Sequence, residues 1–154
     1  MKVMVWNCQG MESPLTVPQL KENVLLLFPD LIFLYETKNT KQTLDTARKK
    51  INFDNVFVVD ACRKASDMAV FWNRNLSVKT IFSTCFTIEV EIQTEMGNGS
   101  WWILRIYASS DSSIRREQWK VIQRRKELWG DHWIVAGDFN DITSTSEKLG
   151  GGKK

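Results

Sequence analysis

Leu31-Ile32-Phe33-Leu34-Tyr35 is a run of five apolar residues, bounded by Pro29-Asp30 before it and Glu36 after it. It is too short for a buried helix and does not alternate, so it reads as a central strand of an α/β sheet with both faces covered. Val24–Phe28 is no longer, and neither run can cross a bilayer as a helix.

Other elements arrange themselves around that strand. Lys2–Asn7 alternates, carries Val3, Val5 and Trp6, and stops at Gln9-Gly10, which predicts a strand. Pro18 suits the first turn of a helix, with Thr16 as its candidate cap. Leu20, Val24, Leu27 and Phe28 then keep helical spacing up to Pro29. Thr40–Ile51 predicts a second, more polar helix. From there the period becomes two: Asn55–Asp60, Met68–Trp72, Val78–Ser83, Phe86–Thr94 and Ser100–Tyr107 are strand-like. Met96-Gly97-Asn98-Gly99 supplies the turn between the last two. Ser109–Ser113 leads into a helix over Ile114–Trp129, with Ile114, Val121, Ile122 and Leu128 on one face and Arg116, Lys120 and Arg124 on the other. Trp133–Ala136 predicts a final buried strand, and Gly137-Asp138-Phe139-Asn140 follows it directly. This order is that of an α/β fold with sheets packed between helices. A sequence ending soon after an apolar strand suggests an incomplete domain over 1–149, followed by a flexible tail at 150–154.

Composition narrows the classes. A length of 154 residues predicts one domain. Lys and Arg total 21 against 18 Asp and Glu, and the excess lies in the C-terminal third, a hint of an anionic partner. Seven Trp call for a packed core or a stacking surface. The three Cys (Cys8, Cys62, Cys85) have no CxxC spacing, which supports neither a disulfide framework nor zinc. The N-terminus lacks a secretory h-region, so the expected setting is intracellular, nucleus or cytoplasm, not secreted, with no membrane partner.

Four polar residues stand at the carboxyl ends of predicted strands: Asn7, Glu36, Asp138 and Asn140. Ligands of open α/β sheets collect there. Each residue alone reads equally well as a turn former. Together they form an oxygen-rich set of the kind Mg²⁺ prefers, with one or two carboxylates completed by substrate phosphates.

The segments Trp6-Asn7-Cys8-Gln9-Gly10, Tyr35-Glu36-Thr37-Lys38, Arg105-Ile106-Tyr107 and Gly137-Asp138-Phe139-Asn140 resemble successive motifs of the endonuclease/exonuclease/phosphatase superfamily. The likeness runs from about Lys2 to Gly151. It is closest to the apurinic-endonuclease-like domain of plant LINE-type non-LTR retrotransposons, through Ser13–Leu20 and Ser110–Trp119. The resemblance implies a deoxyribonuclease-I-like, four-layer α/β sandwich, two β-sheets flanked by helices, here lacking its C-terminal elements. It also implies Mg²⁺- or Mn²⁺-dependent hydrolysis of DNA phosphodiester bonds, which in a retrotransposon nicks target DNA to start reverse transcription. Glu36 matches the metal-binding Glu, and Asn7 the Asn that orients the metal shell and the catalytic Asp. Asp138 matches the Asp that aligns or deprotonates water, Asn140 the Asn on the scissile phosphate, and Tyr107 the phosphate-contacting Tyr.

Two departures bear on activity. The family's C-terminal Ser-Asp-His motif has no counterpart after Asn140, which implies impaired catalysis or an inactive remnant that only binds nucleic acid or protein. The one His, His132, belongs to the start of a strand rather than to a catalytic set. Ala65-Ser66-Asp67-Met68 stands where glycines are usual, which suggests relaxed constraint. Arg116, Lys120 and Arg124 read either as DNA-phosphate contacts or as a solvated helix face. Adjacent Trp101 and Trp102 must face opposite sides of a strand. Trp119 is the expected exposed Trp, and Cys8 is expected in the core.

Overall fold

The computed structural model describes residues 1–11, 13–59, 67–94 and 99–141. The chain runs β1 (Val3–Asn7), α1 (Thr16–Leu27), β2 (Leu31–Tyr35), α2 (Lys41–Lys50), β3 (Asn55–Val59) and β4 (Met68–Trp72). It continues through β5 (Val78–Ser83), β6 (Thr87–Gln93), β7 (Ser100–Tyr107), α3 (Ser112–Lys126) and β8 (Trp133–Asp138). The strands form two four-stranded mixed sheets, ordered β1-β2-β4-β3 and β5-β6-β7-β8. Each holds one parallel pair, β1 with β2 and β7 with β8. Parallel neighbours require a crossover, which α1 and α3 provide.

Alternation along the strands sorts side chains into layers. Leu31 and Phe33 of β2 join Met68 and Val70 of β4 in a core shared with Ile88, Val90, Ile92 and Ile103 of the second sheet. Ile32 and Leu34 face the other way, into a cluster with Leu20 of α1 and Leu44 and Ala47 of α2. The apolar run thus has no polar residue because helices cover one face and a sheet the other. Burial of each such side chain contributes roughly 1.5–3 kcal/mol. On the second sheet, Leu104 and Ile106 meet Ile122 of α3 and Trp129. The result is the expected α/β/β/α sandwich.

Several expectations are corrected. Thr16 is the first residue of α1, not its cap; it is buried, and its hydroxyl donates to the Gly10 carbonyl (3.0 Å). The helix stops at Phe28, which takes φ +48°. Leu20 is buried, but Leu27 and Phe28 are 51% and 70% exposed, because β1 is a sheet edge with no strand beyond it to carry them. α3 starts two residues early, at Ser112, where the Asp111 carboxylate accepts from the Ser113 and Ile114 amides (2.8 and 3.3 Å). Its buried side runs through Trp119, Val121 and Ile122, leaving Ile114 and Leu128 exposed. β8 is an edge strand rather than a buried one, with Ile134 49% exposed. Trp119 is half-buried and stacked on Phe139 (5.8 Å), whereas Trp101 and Trp133 are the exposed indoles. Cys8 is buried as expected. Residues 96–98 of the expected turn, Cys62, Ala65-Ser66 and the tail from 142 onward lie outside the described residues.

Candidate active site

Parallel pairing brings the carboxyl ends of β1 and β2 together, in the register Asn7 opposite Tyr35. It does the same for β7 and β8, with Tyr107 opposite Asp138. Side chains join the two sheets at this end: the Tyr107 hydroxyl donates to Glu36 Oε1 (3.3 Å), and the Tyr107 ring lies against that of Tyr35 (5.9 Å). Tyr107 is therefore the common neighbour of both carboxylates.

Backbone bonds lace the connecting loops into a frame. The amides of Cys8, Gly10 and Met11 donate to the carbonyls of Tyr35, Glu36 and Thr37 (3.0, 2.8 and 2.9 Å). In the second sheet, the Ala108 amide donates to the Asp138 carbonyl (2.8 Å), and Asn140 Nδ2 donates to the Ala108 carbonyl (2.7 Å). Strain gathers at the same place. Of the six non-glycine residues with positive φ among those described, Gln9, Glu36, Lys38 and Asn140 lie here. Such conformations cost about 1–3 kcal/mol each and persist where surrounding structure imposes them. Gly137, at φ +141°, is obligatory: a Cβ would stand 2.0 Å from the Ile106 carbonyl oxygen.

Two strands end in the same device. Asn7 Oδ1 accepts from the Gln9 amide (3.0 Å), and Asp138 Oδ1 accepts from the Asn140 amide (2.9 Å). These bonds hold both side chains at the strand ends. Each carboxylate keeps an oxygen with no protein partner among the described residues, Oε2 of Glu36 and Oδ2 of Asp138. Among the described residues no three Asp, Glu, His or Cys gather into a closed metal cage. The set does fit a hard cation held in the open manner, by one or two carboxylates with the remaining ligands from water and substrate phosphate.

Sequence reasoning missed a cation at this site. Arg105, on the inward face of β7, is fully buried. Its guanidinium lies 4.2 Å from the Tyr35 ring centre and 5.4 Å from that of Tyr107. Nη1 donates to the Met68 sulfur (2.7 Å), while Nε and Nη2 have no hydrogen-bond partner among the described residues. Burial pulls its pKa down to about 10, against the opposing pull of Tyr35, Asp138, Tyr107 and Glu36. Burial also pushes the Tyr35 phenol up. The signs in the sequence are a charge at an alternate position of the apolar segment Ile103–Tyr107 and the place of Arg105 in the motif Arg105-Ile106-Tyr107, which assigned it no role.

The other candidates lie elsewhere. Arg116, Lys120 and Arg124 are exposed on α3, with Lys120 paired to Glu117 (2.7 Å). His132 precedes β8, and its carbonyl accepts from the Trp102 amide (2.9 Å). Asp138 ends the same strand, so the imidazole is on the order of 20 Å from the site at about 3.3 Å per residue.

No family model matches the chain, and no characterised protein matches it in sequence. Its structure does have neighbours. D. rerio TDP2 complexed with a single-strand DNA product is similar with a TM-score of 0.69 at 18% identity, over 91% of this chain and 60% of that one. An endonuclease/exonuclease/phosphatase family protein from Bacteroides thetaiotaomicron gives 0.71 at 15% identity, over 94% and 64%. The chain shares the fold of these two proteins. The human Nocturnin catalytic domain with a bound sulfate anion is similar in the same way, at 0.67 and 14% identity, over 90% and 64%. The chain thus spans less than two thirds of the length of these three proteins. The plant retrotransposon likeness rests on the sequence motifs alone.

Proposed function

We propose that the chain carries the cation- and phosphate-holding part of a DNA phosphodiester hydrolase of the retrotransposon type. The observation that carries this reading is the Tyr107–Glu36 contact, which ties the end of one sheet to the strand position that stands opposite Asp138 in the other. That a protein of the same fold holds a DNA product supports the substrate class.

Glu36, with Asn7 beside it, would hold Mg²⁺ or Mn²⁺. When bound, the ion neutralises charge developing on phosphoryl oxygens and makes water more acidic. Asp138 aligns the attacking water and takes its proton on Oδ2, the oxygen left open by the turn to Asn140. The second N–H of the Asn140 amide meets the scissile phosphate, as does the Tyr107 hydroxyl once it turns its single proton from Glu36 to the phosphate. Arg116, Lys120 and Arg124 meet flanking phosphates, which makes affinity salt-dependent. No imidazole from the described residues stands here to protonate the leaving oxygen. A missing general acid typically costs about 10²–10⁴-fold, so turnover is slow.

Nicking of supercoiled plasmid with Mg²⁺ tests the reading. Slow, metal-dependent nicking is expected, falling to background in Glu36→Ala and Asp138→Asn. Equal nicking by all three proteins would overturn it. Absence of nicking with salt-sensitive DNA binding intact would favour an inactive, nucleic-acid-binding remnant, the reading that the absent imidazole supports.

A further inference from the structure

We propose that Arg105 is a positioning residue of this site, a sealed internal cation that fixes Tyr107 on Glu36 and sets how strongly Glu36, with Asp138 nearby, holds a divalent ion. The inference rests on the cation-binding reading above.

Arg105 is the largest fully buried side chain of the chain, and the fold supplies no reason for its charge. Its neighbours along the inward face of β7 are Ile103 and Tyr107, and the face opposite is Met68, Val70 and Phe33. An apolar side chain would fill this position without leaving Nε and Nη2 unsatisfied. The other buried ion, Glu89, shows the contrast. Its two oxygens are met by both arms of Arg125 (2.7–3.1 Å) and by the Trp129 indole (3.0 Å). Among the described residues no carboxylate hydrogen-bonds Arg105. What it has is two aromatic faces, Tyr35 and Tyr107, and a guanidinium over a ring is an attractive, orienting contact.

Both rings lead to the site. Tyr107 holds Glu36 and stands opposite Asp138, while Tyr35 precedes Glu36 directly. The cation therefore stays within electrostatic reach of both carboxylates, separated from them by rings rather than water. Two carboxylates without it carry a charge of −2; with it, the cluster carries −1. That offset lets the carboxylates face each other before an ion arrives. It also weakens the grip on the ion once bound, which suits an open site that must release a charged product.

Arg105→Met and Arg105→Lys separate charge from packing. Purified variants are compared with the wild-type chain by thermal unfolding and by Mn²⁺ titration, read as the electron-spin-resonance signal of free Mn²⁺. Arg105→Met is expected to melt higher than wild type and to bind Mn²⁺ about tenfold more tightly, since a nearby opposing charge has gone. Arg105→Lys keeps the charge and stays within about twofold of wild type in Mn²⁺ affinity, the sign of an electrostatic role. Wild-type affinity in a folded Arg105→Met overturns this inference alone. So does loss of folding in both variants, which would make the residue structural. If the wild-type chain binds no Mn²⁺, the reading of the site fails, and this inference with it.

Discussion

Glu36 combines a functional side chain with a backbone that favours glycine. At φ +54° it sits in the left-handed region directly after a strand, where an L-residue is strained by about 1 kcal/mol or more. Two substitutions should therefore behave unusually. Glu36→Gly and Glu36→Ala both remove the carboxylate and abolish Mn²⁺ binding, but urea unfolding should find the Gly variant more stable than the Ala variant by about 1 kcal/mol. A strand residue would give the opposite order. One residue from Asn7, Cys8 makes a prediction about pH. Burial raises its thiol from 9.0 to about 12, so it stays protonated and unreactive in the folded chain. The folded state binds the proton more tightly than the unfolded state. This contribution is present in full below about pH 9 and is lost as pH rises towards 12. Cys8→Ala should flatten that alkaline loss in denaturant titrations. In native wild-type protein, iodoacetamide should modify exposed Cys85 and leave Cys8 untouched.

At the scale of elements, α3 is held by a charge as well as by its apolar face. Glu89 of β6 is 2% exposed, and Arg125 meets it with two nitrogens while stacking on Phe82 (3.7 Å). Removing one partner of a buried pair leaves an uncompensated ion, at a cost of about 3–5 kcal/mol. Arg125→Ala should therefore destabilise the chain by that amount in urea. A Glu89→Leu/Arg125→Met double variant should recover most of the loss. Neither this clamp nor Arg105 was legible in the sequence. Period two assigns Glu89 and Arg105 to alternating strand positions, but does not say which face of the strand is covered. Strand ends were legible for the converse reason. An apolar strand has no polar residue until it leaves the core, so Glu36 after β2 and Asp138 at the end of β8 mark the ligand ends of the two sheets by topology alone. The segment Trp133–Ala136 shows where that logic stops. Its apolarity records that a face can be covered, and β8 nonetheless lies at an edge, with Ile134 half in water.

Across the molecule as a whole, four strands among the described residues are sheet edges, β1, β3, β5 and β8, and two of them, β1 and β8, end in a site residue, Asn7 or Asp138. Beside β1, the last turn of α1 exposes Leu25 (59%), Leu26 (70%) and Phe28 (70%), above a groove of about 510 Å³ bordered by Val3, Val5, Leu26 and Leu27. An apolar ridge next to an open strand edge favours pairing with another chain. The apparent mass of the purified chain should rise with concentration in light scattering. Leu26→Lys with Phe28→Asn tests the ridge without disturbing the fold. Lysine suits the end of a helix, and asparagine tolerates the left-handed conformation that Phe28 now adopts at φ +48°. The double variant should stay monomeric at concentrations where wild type associates, with stability within about 0.5 kcal/mol. Ile134→Lys makes the same test at the other edge. Ile134 lies near the far end of β8 from Asp138, so this variant should retain wild-type Mn²⁺ affinity whatever it does to association. If only Ile134→Lys restores the monomer, association runs through β8, and the ridge on α1 is a solvent-tolerated surface instead.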